Sequence, residues 1–145
     1  MNYVLDTNII IHILTGSEKG IEAKTKTQEN NPYLIISIVS KGEIISIAKQ
    51  RKWGKRKLNT LKALLEEFII ILPINSDEIV ETYAQIDAYS QGKLKESPLG
   101  QSSRNMSKND LWIAATAYLT KSTLLTTDND FNHLNLKYFP IENLN

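Results

Sequence analysis

Residues 3–8 read Tyr-Val-Leu-Asp-Thr-Asn, and this stretch sets the architecture of the whole chain. The apolar run at residues 3–5 is typical of a buried strand, and Asp6 ends it with residue types that favour turns. A helical pattern of apolar residues follows from Ile9 to Leu14 and stops at Gly16. A buried strand that passes through a short polar turn into a helix is the start of a β-α-β unit.

The same alternation of strand and helix continues along the chain. Apolar runs predict further strands at residues 34–38, 68–72, 123–127 and 137–141. Helical patterns predict helices at residues 18–28, 40–53, 58–65, 78–89 and 110–119, with a loop at 91–107. Strands that alternate with helices predict a three-layer α/β/α sandwich with a mostly parallel sheet of about five strands. A chain of this size is also expected to form one domain, residues 1–145.

The composition excludes several classes of protein. Seventeen Lys and Arg oppose sixteen Asp and Glu, so the net charge of +1 creates no overall field that attracts a polyanion or a membrane. The absence of cysteine rules out disulfides, zinc–thiolate sites and a cysteine nucleophile. No apolar run reaches the ~18 residues of a membrane span, and the first residues lack the basic region of a signal peptide. We therefore expect a soluble, cytoplasmic protein.

Acidic residues stand where the predicted strands end. Asp6 follows the first strand, Glu43 lies in the first turn of the helix after the second, and Asp110 opens the helix before the fourth. Asp128 and Asp130 follow the fourth strand. Functional groups of parallel α/β sheets gather beyond the carboxyl ends of the strands, so these residues are the candidates for chemistry.

Helix capping offers an alternative interpretation of each acid. The segments 40–43 and 107–110 both fit the capping box, in which a Ser is followed three residues later by an acid that satisfies backbone N–H groups. Asp6 and Asp128 could likewise be N-caps of the turns that follow them. Capping explains each acid singly, but it gives no reason for four acids to meet at one edge of a sheet.

Convergence of the acids would be costly without a cation. Two carboxylates ~4 Å apart repel by about 4 kcal/mol at an effective dielectric constant of ~20, whereas a helix N-terminus contributes only ~0.3–1 kcal/mol. A divalent cation can offset the repulsion that the helix N-termini leave uncompensated. Oxygen ligands without Cys or a suitable His select a hard ion, Mg²⁺ or Mn²⁺.

Four motifs resemble those of the PIN-domain ribonucleases, and within them the VapC-type toxins of type II toxin–antitoxin modules. They are YVLDTN (3–8), IVSKGEI (38–44), NDLWIAATA (109–117) and LTTDNDF (125–131). Their order, spacing and placement at strand ends all match, and the resemblance covers essentially the whole chain. It implies a PIN-like fold and a metal-dependent endoribonuclease.

The resemblance also implies roles for the acids. Asp6, Glu43, Asp110 and Asp128 would form an acidic quartet that binds Mg²⁺ and hydrolyses RNA phosphodiesters. Asp6 and Asp110 would hold the principal ion. Glu43 and Asp128 would complete the outer ligation, hold a second ion, or help to deprotonate the attacking water.

Three further residues are secondary candidates at this site. Asp130 is either an additional acid of the site or a cap of the last helical turn, and Asp128 is preferred to it because Asp128 is nearer the strand. Asn8 and Thr127 would orient carboxylates or the metal-bound water. Their alternative role is to satisfy backbone groups of the turns in which they lie.

Partners follow from the same resemblance. VapC-like proteins hydrolyse RNA, bind a small VapB-type antitoxin that blocks the site, and are usually homodimers. The apolar helix at residues 9–14 and the leucines of 58–65 could therefore form an interface, although a place in the core is the safer interpretation.

Basic residues cluster in one segment that RNA or an acidic partner could contact. Six of them lie within nine positions, namely Lys49, Arg51, Lys52, Lys55, Arg56 and Lys57. Trp53, among them, could stack on a base or pack on the core. A merely solvated surface is the alternative. Arg104, in the predicted loop, flanks the expected site.

The sequence also predicts where the two histidines lie and leaves open two functions that compete with the ribonuclease. His12 is expected in the core or an interface, and His133 on the surface. A non-catalytic PIN-like binding module would use the carboxylates only as caps. A phosphatase of the haloacid-dehalogenase type would place a second Asp two residues after Asp6, where this chain has Asn8.

Overall fold

Five parallel strands form one sheet in the computed structural model, which describes residues 1–67 and 69–145. The strands are β1 (Asn2–Leu5), β2 (Tyr33–Ser37), β3 (Ile69–Leu72), β4 (Thr123–Thr126) and β5 (Ile141–Asn143). Their order across the sheet is β3-β2-β1-β4-β5, and every neighbouring pair is parallel. The predicted parallel sheet is confirmed; Phe68, at the start of the predicted third strand, lies outside the described residues.

Helices cover both faces of this sheet. They are α1 (Thr7–Thr15), α2 (Glu18–Gln28), α3 (Ile38–Gln50), α4 (Lys55–Glu67), α5 (Asp77–Ser90), α6 (Lys108–Leu119) and a 3₁₀ helix (Asn129–Leu134). Leu5 and Leu125 pack with α1, α3 and α4 on one face, whereas Val4 and Leu124 pack with α5 and α6 on the other. Alternate residues of a strand point to opposite faces, so the apolar strands are buried on both sides and the three-layer sandwich is confirmed.

The predicted start of α3 was wrong. Ser37 is the N-cap, since its Oγ accepts the Val39 N–H at 3.2 Å, whereas Ser40 lies fully buried inside the helix. Glu43 is thus the sixth helical residue and cannot complete a capping box with Ser40. Ile38 and Val39 favour strands, but capping and tertiary packing outweigh that preference here.

The last strand, β5, begins four residues later in the chain than predicted. Leu136 adopts a left-handed conformation (φ 61°) and its N–H bonds to the Phe139 carbonyl, so the chain turns where a strand at 137–141 was expected. Pro140 has no N–H for a ladder. Pairing with β4 begins at Ile141 instead.

The topology places a crevice between β1 and β4. The chain leaves β1 towards β2 on one side, whereas β4 lies on the other side, so the strand order reverses at this point. Ligand sites of open parallel sheets lie at such reversals, beyond the carboxyl ends of the strands. Asp6 follows β1 and Asp128 lies two residues after β4, which places both at this crevice.

No helix among residues 1–67 and 69–145 is both long enough and apolar enough to cross a bilayer.

Gly20 allows α2 to lie against the end of α1. A Cβ at this position would collide with the backbone carbonyl of His12 and approach the Ile13 nitrogen to 2.9 Å. We expect Gly20→Ala to lower the free energy of unfolding by about 1–3 kcal/mol, because backbone atoms cannot move aside like a side chain. Denaturant unfolding measures this effect.

Gly42→Ala is the matched control, because Gly42 is helical and nothing lies within 4 Å of the added Cβ. Alanine there should raise stability by about 0.5–1 kcal/mol. Equal effects of the two substitutions would contradict the close approach of α1 and α2.

Candidate active site

Asp6 is the buried centre of the acidic site, with only 4% of its surface exposed. Its Oδ1 accepts the Thr7 N–H at 2.7 Å, which caps α1, and its Oδ2 accepts the Thr126 hydroxyl at 2.7 Å. The pKa of Asp6 is raised to about 6, mainly by burial and also by the charges of Asp128 and Glu43, against the lowering effect of these hydrogen bonds. The capping interpretation of Asp6 is therefore correct but incomplete.

Thr126 links the carboxyl ends of β1 and β4. Its Oγ1 accepts the Asp128 N–H at 2.9 Å and donates to Asp6 Oδ2. The backbone N–H of Asp6 also donates to the Leu125 carbonyl at 3.0 Å. The Thr126 hydroxyl and the parallel pairing of β1 with β4 thus fix the position of Asp6 relative to Asp128.

Asp110, Asp128 and Asp130 form a compact group of carboxylates. Each offers an oxygen within 4.8 Å of an oxygen of the other two. Asp128 Oδ1 accepts the Asp130 N–H at 2.8 Å, so Asp128 caps the 3₁₀ helix and brings Asp130 to the site. The structure therefore brings both acids together where the sequence favoured Asp128 alone.

Ser107 positions Asp110 at the start of α6. Its Oγ accepts the Asp110 N–H at 3.2 Å, as the predicted capping box requires. The pKa of Asp110 is raised to about 6, mainly by burial and then by the charges of Asp6, Asp128 and Glu43. These shared electrostatic effects show that the four acids of the predicted quartet face one region.

Glu43 reaches the site through Thr7. The Thr7 hydroxyl donates to Glu43 Oε1 at 2.9 Å and lies 3.1 Å from the Ser40 Oγ. Thr7 is buried directly after Asp6, so the α1 N-terminus orients two carboxylates at once. Glu43 lies outside the group formed by Asp110, Asp128 and Asp130.

The sequence missed three hydroxyl residues at this site. Thr7, Ser40 and Thr126 are buried and hydrogen-bonded to the carboxylates or to each other. The predicted Thr127 is instead half-buried, one residue beyond the threonine that holds Asp6, and Asn8 is exposed. Thr126 ends β4 and Thr127 lies just beyond it, so the pair of adjacent threonines carries no local signal for this choice.

The donor set fits a hard divalent cation. Oxygens of Asp110, Asp128 and Asp130 lie close enough together to hold one ion, Asp6 and Glu43 add charge nearby, and none of the five side chains is a thiolate or an imidazole. Among the side chains that the structure describes, Lys26 and Glu142 form the ion pair found, and none of the five acids is neutralised by a basic residue. Burial is the main cause of the raised pKa of Asp6 and Asp110, and the neighbouring carboxylates add to it without a basic partner among the described side chains.

His133 is buried, so its predicted exposure was wrong. Its Nε2 lies 2.7 Å from the buried Ser90 Oγ, and burial, followed by the charge of Arg104, lowers its pKa. Arg104 itself is exposed, and its N–H donates to the Ser90 carbonyl at 2.7 Å. These contacts attach the 3₁₀ helix that carries Asp130 to the end of α5.

The acidic crevice is separate from an apolar cavity elsewhere in the fold. A cavity of about 520 Å³ lies between α1, α2 and α4, and its lining contains no carboxylate. Beside Glu43 there is a shallow recess of about 420 Å³, which Asn109 also lines.

A parallel three-layer α/β fold carries an acidic crevice where the strand order reverses, and three carboxylates there lie close enough together to hold a metal ion. The PIN domain family model matches residues 3–137. The chain therefore belongs to the PIN domain family.

Known proteins similar to this chain agree with that assignment. Ribonuclease VapC1 of Haemophilus influenzae strain R2866 is 28% identical over 126 residues, which cover 87% of this chain and 86% of the relative. The crystal structure of VapBC2 from Rickettsia felis, bound to a DNA fragment from their promoter, matches with a TM-score of 0.74 at 20% identity. VapBC-1 from nontypeable Haemophilus influenzae matches with a TM-score of 0.72 at 24% identity. Both structural matches cover 99% of this chain and 98% of the other.

Proposed function

We propose that this protein is a metal-dependent endoribonuclease and the toxin of a VapBC-type toxin–antitoxin module. The convergence of Asp6, Glu43, Asp110 and Asp128, with Asp130, on the crevice between β1 and β4 carries the proposal. Similarity to Ribonuclease VapC1 over 87% of the chain supports RNA as the substrate.

Asp6 and Asp110 are the proposed principal ligands of Mg²⁺, with Mn²⁺ as the alternative ion. Asp128 and Asp130 lie close enough to Asp110 to complete the ligation. When bound, such an ion lowers the pKa of a water ligand and neutralises charge on a phosphoryl oxygen. This chemistry suits a chain that has no cysteine nucleophile.

The residues of the chain orient these groups and handle the proton. Thr7 and Thr126 hold the two oxygens of Asp6, so its carboxylate loses little freedom when it binds a cation. Glu43 uses Oε1 to accept the Thr7 hydroxyl, and its other oxygen, Oε2, can take a proton from the attacking water. Thr7 therefore orients both Asp6, a proposed metal ligand, and Glu43, the proposed base.

The proposal extends to partners and organisation. A VapB-type antitoxin is the proposed inhibitor, since two similar solved structures are VapBC2 and VapBC-1 complexes. A homodimer is the proposed assembly, and residues 1–145 the single domain. The cytoplasm, where RNA is available, is the proposed location.

Removal of the metal tests this function. The purified protein should cleave single-stranded RNA internally with Mg²⁺ or Mn²⁺ and lose at least about 10³-fold of this rate in EDTA, because the ion supplies several kcal/mol of transition-state stabilisation. Denaturing gels measure the rate, and added Mg²⁺ should restore it.

The two alternatives predict different results. Calorimetry that detects no stoichiometric Mg²⁺ binding, together with no cleavage of any RNA, would identify a non-catalytic module. Release of inorganic phosphate from a phosphomonoester without RNA cleavage would identify a phosphatase.

A further inference from the structure

A basic corner joins α3 to α4 on the side of the sheet that carries β2 and β3. We define it by its six basic residues, Lys49, Arg51, Lys52, Lys55, Arg56 and Lys57. Five of them are exposed and Lys57 is half-buried. The acidic site alone does not account for this concentration of charge.

The basic corner has a well-defined backbone. The Arg51 N–H donates to the Ile47 carbonyl at 2.9 Å, and the Trp53 N–H donates to the Ala48 carbonyl at 3.0 Å. Trp53 packs against the apolar core under α3 and α4, and the Lys57 Nζ lies 4.0 Å from its ring centroid. Trp53 therefore packs on the core and holds one of the six cations, that of Lys57, in place.

The charge of the basic corner is not neutralised locally. Six of the seventeen basic residues fall in nine positions that contain no acid, so eleven basic residues oppose all sixteen acids elsewhere. Among the described side chains, none of the six forms an ion pair. The near-neutral chain thus consists of a strongly positive patch and an acidic remainder, and such a patch attracts a polyanion.

A recess runs along α3 from Glu43 towards the end of the helix that carries the basic corner, although none of the six basic residues lines it. Glu43, Ser46, Ile47 and Gln50 of α3 line it, and Asn109, next to Asp110, lines it from α6. Glu43 lies at one end of the recess, and Gln50, between Lys49 and Arg51 in the sequence, lies at the other. Gln50 is seven positions after Glu43 in the helix, so the two ends are about 10 Å apart, the span of about two or three nucleotides.

We propose that the basic corner binds backbone phosphates of single-stranded RNA and that the recess along α3 guides the strand to the acidic site. This inference rests on the proposed function and adds where the substrate is held. RNA needs such a contact because the carboxylates repel its phosphates. An acidic peptide would need no path from the basic corner to Asp110.

Binding without cleavage tests the basic corner directly. Fluorescence anisotropy in EDTA would measure the affinity of a labelled single-stranded RNA of about 12 nucleotides as a function of salt. The double variant K55Q/R56Q should bind about tenfold more weakly at low salt, and the slope of log affinity against log salt should fall by about 1.4. The control K121Q/K137Q makes the same charge change beside β4 and β5 and should keep the wild-type slope.

Cleavage with Mg²⁺ separates this inference from the proposed function. K55Q/R56Q should raise KM for the long RNA about tenfold with kcat unchanged, and should leave cleavage of a dinucleotide unaffected. Absence of cleavage by the wild type would contradict the proposed function, whereas the binding measurement would still stand.

Three results would overturn the basic corner as an RNA site. The first is an unchanged salt slope in K55Q/R56Q when the wild type cleaves RNA. The second is an equal loss in K121Q/K137Q. The third is tighter binding of a poly-glutamate peptide than of RNA with the same number of charges, which would assign this surface to an acidic protein.

Discussion

Asp6→Asn should lower RNA cleavage by at least about 10³-fold while the protein remains folded. Asparagine has the shape of aspartate, and its amide oxygen can still accept the Thr7 N–H that caps α1. It carries no negative charge for a cation, so the central ligand is lost. Cleavage assays and circular dichroism measure the two outcomes.

The same substitution should leave stability at neutral pH unchanged or raise it. Asp6 is 4% exposed and its pKa is raised to about 6, so its ionised form opposes folding when no cation is bound. Asp77→Asn is the control, because Asp77 is an exposed acid at the start of α5. The Asp77→Asn variant should cleave RNA at the wild-type rate. Full activity of Asp6→Asn would exclude Asp6 as a ligand.

Stability without metal should fall as the pH rises from about 4 to 7. The pKa values of Asp6 and Asp110 are both about 6 in the folded protein, above the value near 4 of an unfolded chain. The folded state therefore binds more protons in this window, and the stability present below pH 4 is lost as the pH passes through 6. The two carboxyls together should contribute about 2–4 kcal/mol to this loss.

Mg²⁺ should reverse this loss at neutral pH. The cation binds deprotonated carboxylates, so at a concentration of about 100 Kd it adds about 2.7 kcal/mol at pH 7.5 and little at pH 5. Thermal unfolding at both pH values, with Mg²⁺ or with EDTA, measures the difference. We expect a rise of about 5–10 °C in Tm at pH 7.5 only.

The double variant D6N/D110N is the control for this linkage. It should lose most of the pH dependence between pH 4 and 7 and should gain no stability from Mg²⁺. A wild-type protein that Mg²⁺ stabilises equally at pH 5 and pH 7.5 would show that the cation binds at other groups.

The family and the architecture could be predicted because their signals are local. Apolar runs of strand length recur between helical patterns, and the four motifs lie at the junctions, so the parallel sandwich and the PIN domain family are both confirmed. Boundaries were less accurate where local preferences compete. At Ile38 the β-branched residues suggested continuation of β2, but Ser37 caps a helix there.

The support around the carboxylates could not be predicted in the same way. The choice between Thr126 and Thr127 depends on which face of β4 meets Asp6, and a pair of adjacent threonines leaves this choice open. The buried state of His133 likewise depends on Ser90, forty-three residues away in the chain. Contacts of this kind arise only after distant segments have packed.

The order of residues along the chain was enough to determine the strand–helix alternation, the acids at the strand ends and the cluster of six cations, because each depends on neighbours in sequence. Tertiary structure alone decided that Asp110, Asp128 and Asp130 share one site, that Thr126 joins Asp6 to Asp128, and that a recess runs along α3 from Glu43 to Gln50. The physical reason is that hydrogen bonds and electrostatic repulsion act over a few ångströms in space, and only the packed sheet brings these remote residues within that range.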